Sequence, residues 1–365
     1  MTGTPGKPAA ERPARRLGFF TRLLDDGDAG ERYRLATAQI LHAEALGFDS
    51  AWIAQHHFHP DEGGLPAPAV FLAHVAARTR AIRLGTGVIT LPMENPIRAA
   101  EDTAVLDLIS GGRLEVGFGT GGTRESFEAF GIASDRRGAV YGDNLLIVRD
   151  AWAGRPLAAA ATLYPTAPGL LDRTWLATFS VAGGRLAGES GDGLMLSRTQ
   201  PRPAEAPGAT LWDIQTPIID AYLAALPAGR APRILASRSL FVAEDRGHAL
   251  RLAEAGLSRV ARRFEAAGHR FASTRVEDLI AALDSHVGTP EEVIASLKAD
   301  TALARATDIV FQVHSIDPPH VDVLASLTLT ARHVAPALGW HQAAGPRAAA
   351  DQAADRPADR PGSHP

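Results

Sequence analysis

The sequence predicts an α/β fold, a single closed (β/α)8 barrel of the TIM type. Three observations predict it. Short apolar runs alternate with longer helix-period segments between residues 17 and 339, and the alternation completes eight times. The residues richest in chemistry fall just after the apolar runs, where a barrel keeps its active site. Strand–helix alternation implies a parallel sheet covered by helices, and a count of eight favours closure. An open, doubly wound sheet is the alternative, because the fifth and sixth units are short.

The elements follow in order. Residues 17–20 make the first strand, and a helix over 30–46 sets Leu35, Ala38, Leu41 and Ala45 on one face before stopping at Gly47. Residues 48–54 are the second strand, and a helix over 70–78 follows a loop rich in Gly and Pro. Residues 82–90 form the third strand. Pro96 opens a helix with Ile97, Ala100, Ala104 and Leu108 on one face, ending at Gly111-Gly112. Residues 114–118 are the fourth strand, with a helix over 144–152. The second half has strands over 175–179, 193–196, 234–242 and 309–313, with helices over 185–189, 218–226, 248–263 and 321–338. Thr289-Pro290-Glu291-Glu292 reads as an N-cap, a first-turn proline and acidic residues suited to a helix dipole. Longer inserts at 157–173, 199–215 and 264–286 are expected to line or cover the pocket.

Composition narrows the function. A net charge of −4 offers no footprint for nucleic acid or an anionic membrane. The chain has no cysteine, which excludes disulfides, thiolate metal sites and a cysteine nucleophile, and suits a reducing compartment. No run approaches the ~18 apolar residues of a membrane span, and the N-terminus lacks the apolar stretch of a secretory signal. A cytoplasmic protein is expected. Residues 1–16 and 341–365 read as disordered tails flanking one catalytic domain over 17–340. The sequence also lacks the serine-hydrolase elbow, the phosphate-binding P-loop and the zincin helix motif.

Three clusters could carry chemistry. Gln55-His56-His57-Phe58-His59 follows the second strand, where histidines can hold or move a proton. A metal site with Asp61 and Glu62 is the competing reading, but the ends of the next three strands offer Thr90, Thr120 and Ser180 instead of further ligands. Gly117-Phe118-Gly119-Thr120-Gly121-Gly122 formally matches a dinucleotide fingerprint but sits in the fourth unit, not the first. Its glycines are read as letting a flat ligand approach the backbone, or as a plain glycine-rich loop. Ser180-Val181-Ala182-Gly183-Gly184-Arg185 runs into a short helix, either as a phosphate site on its N-terminus or as an ordinary cap.

These residues resemble the bacterial luciferase-like flavin-dependent monooxygenases. The likeness is carried by residues 47–52 leading to His56-His57-Phe58, and by Ile82-Arg83-Leu84-Gly85-Thr86-Gly87-Val88. Asn95-Pro96, Glu101-Asp102, Leu106-Asp107, Ser110-Gly111-Gly112-Arg113 and Val287-Gly288-Thr289-Pro290-Glu291-Glu292 extend it over nearly the whole folded part. The closest subgroup is the FMN-dependent luciferase-like monooxygenases.

The resemblance implies a barrel that takes reduced FMN (FMNH2) from a separate flavin reductase and uses it with O2 to oxidise a small organic substrate. By position, His56 matches the catalytic histidine that assists formation of the oxygenated flavin, with His57 in support. Gly87-Val88 matches a non-proline cis peptide under the flavin ring. Phe20, Gly119 and Thr120 match further flavin contacts, and Ala182, Gly183, Gly184 and Arg185 match the phosphate loop. Arg137 is a second phosphate contact by local similarity. No metal is implied, and a homodimer is. Two departures stand out: Gln55 replaces a frequent Glu, and Gly119-Thr120 stand where luciferases carry a reactive cysteine and an arginine. Light emission is therefore not implied. The alternatives are an F420-dependent hydride-transfer enzyme on the same barrel, a metal-dependent barrel hydrolase, and a non-catalytic flavin-binding protein.

Overall fold

The computed structural model describes residues 15–203, 205–266 and 270–341. The first half runs β1 (Arg15–Thr21), α1 (Ala29–Ala45), β2 (Ser50–Ile53), α2 (Pro68–Ala76), β3 (Arg83–Thr90), α3 (Pro96–Ile109), β4 (Leu114–Gly119), α4 (Arg124–Ala129) and α5 (Arg137–Trp152). The second half runs β5 (Thr174–Ala177), α6 (Val181–Glu189), β6 (Gly193–Leu196), α7 (Leu211–Ala225), β7 (Ile234–Val242), α8 (Arg246–Ala266) and α9 (Val276–Ala282). It ends with β8 (Ser285–Gly288), α10 (Pro290–Ala299), β9 (Asp308–Gln312), α11 (His320–Leu329) and β10 (Trp340–His341).

Every strand pairing is parallel. β1 to β7 follow one another in order, β9 pairs with β7, and β9 also pairs with β1, so eight strands close on themselves. These are the eight runs expected from the sequence, and the open-sheet alternative is excluded by the β9–β1 ladder. Two short strands flank the ring. β8 pairs with Ser239–Val242 at the outer end of β7, and β10 pairs with Arg15 and Arg16. Arg15 and Arg16, read from sequence as tail, thus belong to β1, and His341, also read as tail, belongs to β10; the rest of both expected tails lies outside the described residues.

The barrel interior is built on two tryptophans. Trp52 on β2 and Trp175 on β5 meet edge to face with ring centroids 5.8 Å apart. Their rings need glycine on the next strand: a Cβ at Gly85 would lie 2.2 Å from Trp52, and one at Gly193 would lie 2.2 Å from Trp175. Met195, Leu235 and Val310 complete this buried cluster, with Phe20, Val88 and Ala177 packed on it. The interior is a filled core, as small barrels require.

At the N-terminal ends of the strands, charged groups close the barrel in pairs. Arg16 meets Asp308 at 2.7 Å, Arg83 meets Glu115 at 2.5 Å, and the Trp175 indole donates to Glu115 at 2.7 Å. Arg233 stacks over the Trp175 ring at 4.9 Å.

Helix starts follow capping chemistry. Asp28 caps α1, Asn95 caps α3 ahead of Pro96, and Thr289 forms a reciprocal capping box with Glu292 on α10. Three helices begin well before the sequence predicts. α7 starts not at 218 but at Leu211, where Thr210 and Asp213 form a reciprocal capping box. α5 starts at Arg137 because Gly138 and Gly142 face open space and cost the helix only propensity. α6 starts at Val181, so Gly183, Gly184 and Arg185 lie inside the helix. Gly184 is there for packing: a Cβ on it would lie 2.5 Å from the Ile218 carbonyl of α7. The 157–173 insert also differs from expectation. It leads into the start of β5, where Arg173 binds Asp107 and the Leu114 carbonyl, on the barrel face away from the strand C-termini.

Candidate functional site

A cavity of about 310 Å3 opens at the C-terminal ends of the barrel strands. Its floor is the top of the buried core: Phe20, Trp52, Met195, Leu235 and Val310. Phe20, His56, His57, Gly87 and Val88 all line it, so one wall gathers five of the residues singled out from the sequence. The Gly87-Val88 peptide is cis. Phe20, Gly87, Val88 and Gly119 fit together closely. A Cβ at Gly87 would stand 2.7 Å from the Phe20 ring, and one at Gly119 would stand 2.7 Å from Val88. Gly119 therefore supports the wall from behind rather than lining it. Thr120 is half-buried just beyond; Gly121, Gly122 and Thr123 are the loop residues that reach the cavity.

His56 is set by β2 and by its loop. Its backbone N–H donates to the Leu65 carbonyl, and its ring presses on Gly63, where a Cβ would lie 2.4 Å from Nδ1. Nδ1 is sealed from solvent with no partner. Burial, then the charges of Arg22, His57 and Arg198, push its pKa down to about 3. The ring is neutral at physiological pH and a weak base, so it offers a hydrogen bond rather than a stored proton. Burial also lowers the pKa of His57, against the pull of Glu94. His57 packs edge-on to Phe130 at 4.9 Å. His59 faces away, on a second cavity of about 290 Å3 that His56 also borders.

Gln55 has a clear local role. Its amide donates to Glu94 at 2.7 Å and to the Pro66 carbonyl at 3.1 Å, and its oxygen accepts from the Thr90 N–H at 2.7 Å. A carboxylate there would face Glu94 and lose the donor. The departure from Glu thus ties β2 to the end of β3 without repulsion.

The residues expected at a phosphate divide differently. Thr178 and Phe179 line the cavity just before α6, and Ser180 caps it, its hydroxyl accepting from the Gly183 N–H at 3.1 Å. The N–H groups of Val181 and Ala182 open the helix with no intrahelical acceptor. Gly184 is buried and Arg185 exposed, and neither reaches the cavity. Arg137 is exposed at the start of α5, bound to Ser134, and is not brought to the site.

Among the cavity residues that escaped the sequence reading are its two arginines: Arg22, just past β1, and Arg198, just past β6. Their position was the available signal, since each follows an apolar strand at the barrel's functional end. Of the inserts at 199–215 and 264–286, Thr199 is the described residue that lines the cavity, and Asp284 ties the two together by accepting from Thr199 and Arg202. Among the described residues, no three His, Asp or Glu side chains converge as a metal would require. No described helix is long and apolar enough to cross a membrane.

Comparison with known proteins places this geometry. The family model for luciferase-like monooxygenases matches residues 17–307. A monooxygenase of Streptomyces bottropensis is 28% identical, with a TM-score of 0.69 over 88% of this chain and 99% of its own. The oxygenating constituent of 3,6-diketocamphane monooxygenase from Pseudomonas putida, solved with FMN, is 21% identical with a TM-score of 0.71 over 88% and 98% of the two chains. The coenzyme F420-dependent tetrahydromethanopterin reductase of Methanopyrus kandleri is 18% identical, with a TM-score of 0.67 over 88% and 99%. The last two likenesses are of fold. The chain's matches to curated relatives span 24% to 48% of the length of those relatives.

Proposed function

From the premise that this chain belongs to the luciferase-like monooxygenase family, we propose that it is a flavin-dependent monooxygenase using reduced FMN and O2 to oxidise a small organic substrate. The observation that carries the reading is the convergence of Phe20, His56, Gly87 and Val88 on one cavity at the mouth of that family's barrel.

The residues fit a flavin. Phe20, Gly87 and Val88 form a smooth wall for a flat ring, and Thr90, Thr123 and Ser126 supply hydroxyls along the cavity. The start of α6, with Thr178, Ser180 and the N–H groups of Val181 and Ala182, would take the phosphate. Bound reduced flavin would supply the electrons for oxygen activation. The protein does the rest. Its apolar floor keeps water from the reacting centre, and neutral His56 would hydrogen-bond the reacting atoms beside it. Delivery by a separate reductase and a homodimer belong to the same proposal. Val105, Leu108 and Ile109 expose apolar surface on α3 for the dimer.

The test is anaerobic titration with reduced FMN and, separately, with reduced F420. The expected result is saturable FMN binding with weaker F420 binding, and a His56→Ala variant that still binds FMN but releases a larger share of consumed O2 as hydrogen peroxide. Preference for F420 would move the assignment to hydride transfer. Binding of neither would remove the flavin reading altogether.

A further inference from the structure

The cavity wall is cationic. Arg22 and Arg198 both line it, and no Asp or Glu does among the described residues. Neither arginine has an ion pair among the described residues. Arg22 donates through Nε to the Glu62 carbonyl at 2.6 Å. Arg198 donates through Nε to Gln312 at 3.1 Å and through a terminal nitrogen to Ser239 at 3.2 Å. The acids nearby are otherwise engaged: Glu62 accepts from Thr123, and Asp284 from Thr199 and Arg202. Ser237 also lines the cavity, 7% exposed, and its hydroxyl is buried without a partner.

A guanidinium withdrawn from water needs compensation, and here the hydrogen-bond acceptors are neutral. Glu62 and Asp317 on Arg22, and Asp284 on Arg198, act only from beyond ion-pair distance. The two cations also oppose each other. Burial first, then Arg22, push the Arg198 pKa down to about 9, which still leaves it charged at neutral pH. Burial lowers that of Arg22. An arrangement of this kind is completed by a ligand that brings negative charge.

We infer that the substrate is an organic acid, bound with its carboxylate or other anionic group against Arg22 and Arg198 and hydrogen-bonded by Ser237. The inference rests on the flavin reading for calling the bound acid a substrate. A cofactor phosphate has the same charge, but the placement favours the acid. Arg198 is held by Gln312 of β9 and Ser239 of β7, across the mouth from the Gly87 and Val88 wall of β3. The start of α6 offers the phosphate its own donors.

The experiment is calorimetric titration of the FMN-loaded protein with benzoate, salicylate and octanoate, each against its neutral amide. At least one acid should bind about 10-fold or more tightly than its amide. Arg198→Gln and Arg22→Gln should each bring that pair towards parity with little change in amide affinity, and Arg198→Lys should keep part of the preference. Far-UV circular dichroism and melting confirm that each variant is folded. The inference is overturned if no acid is preferred, or if the preference survives both glutamine variants. It is also overturned if these variants collapse the ratio of FMN to riboflavin affinity, because the arginines would then hold the cofactor. Failure of the wild type to bind FMN would sink the flavin reading instead. The acid–amide comparison, repeated on the unloaded protein, would then still decide the anion site.

Discussion

The two ends of this barrel use the same side chain in opposite ways. At the N-terminal ends of the strands, Arg16 and Arg83 lie against Asp308 and Glu115, and Arg233 covers the Trp175 ring. At the C-terminal ends, Arg22 and Arg198 lean on a backbone carbonyl, an amide and a hydroxyl, with no carboxylate in the cavity wall among the described residues. One end is electrically closed and the other is open. A buried charge that the fold itself neutralises serves the fold, and one left for something else to neutralise serves binding.

The largest effect is expected at the closed end. Glu115→Ala removes the acceptor shared by Arg83 and the Trp175 indole and leaves the partly buried guanidinium and the fully buried indole without it. Stability should fall by about 3 kcal/mol, read from urea unfolding, with FMN affinity of the folded fraction unchanged. A loss below about 1 kcal/mol would mean that water reaches Arg83 well enough to replace the carboxylate.

Much of this contrast was hidden in the sequence, although the barrel was not. The eight ring strands stand out because each is an apolar run ended by a polar or glycine-rich loop. β8 and β10 do not, because Ser-His-Val-Gly and Trp-His are too short to show a period and pair only with the ends of β7 and β1. Gly183 and Gly184 read as a loop because glycine breaks helices in isolation. The structure keeps Gly184 in α6 because α7 lies too close for any side chain. His56 was legible from its cluster and its place after β2. Its neutrality was not, since that depends first on burial and then on Arg22, His57 and Arg198, two of them distant in sequence. Those arginines looked like any of the chain's 37 basic residues. Only the absence of an ion pair among the described residues, a tertiary fact, separates them from Arg16 and Arg83.

Protons probe the same contrast at intermediate strength. His56, at the open end, is held neutral by burial and by cationic neighbours, with its pKa pushed down to about 3. His286 on β8, bonded to Ser296, is pushed down to about 4 by burial and then by Arg238. In the unfolded chain both titrate near 6.5, so between pH 6.5 and about 4 the unfolded state binds more protons. Stability is fully present above pH 6.5 and declines as pH falls through that window, by up to about 1.4 kcal/mol per pH unit for each histidine. His56→Asn and His286→Asn should each flatten the decline relative to wild type. An organic acid bound at Arg22 and Arg198 should reduce the His56 share alone, because it offsets the charges that keep that ring neutral. Equal reduction of both shares would place the acid elsewhere.

The smallest effect is the one with the least expected sign. Removing a charge from a protein interior usually destabilises it, because a partner is stranded. Among the described residues Arg198 has no ion-pair partner to strand, Asp284 acting on it only at longer range, and its loss also relieves its repulsion with Arg22. Arg198→Gln, which keeps the chain's bulk and a donor for Gln312 or Ser239, should leave the melting temperature unchanged or raise it, with a gain of up to about 1 kcal/mol. The same change at the closed end, Arg16→Gln, strands Asp308 and should lower it. A residue whose removal costs function while stability holds or rises is one the fold carries for its ligand. If Arg198→Gln instead melts several degrees lower, Gln312 and Ser239 are neutralising the guanidinium better than neutral groups should, and the open end is closed after all.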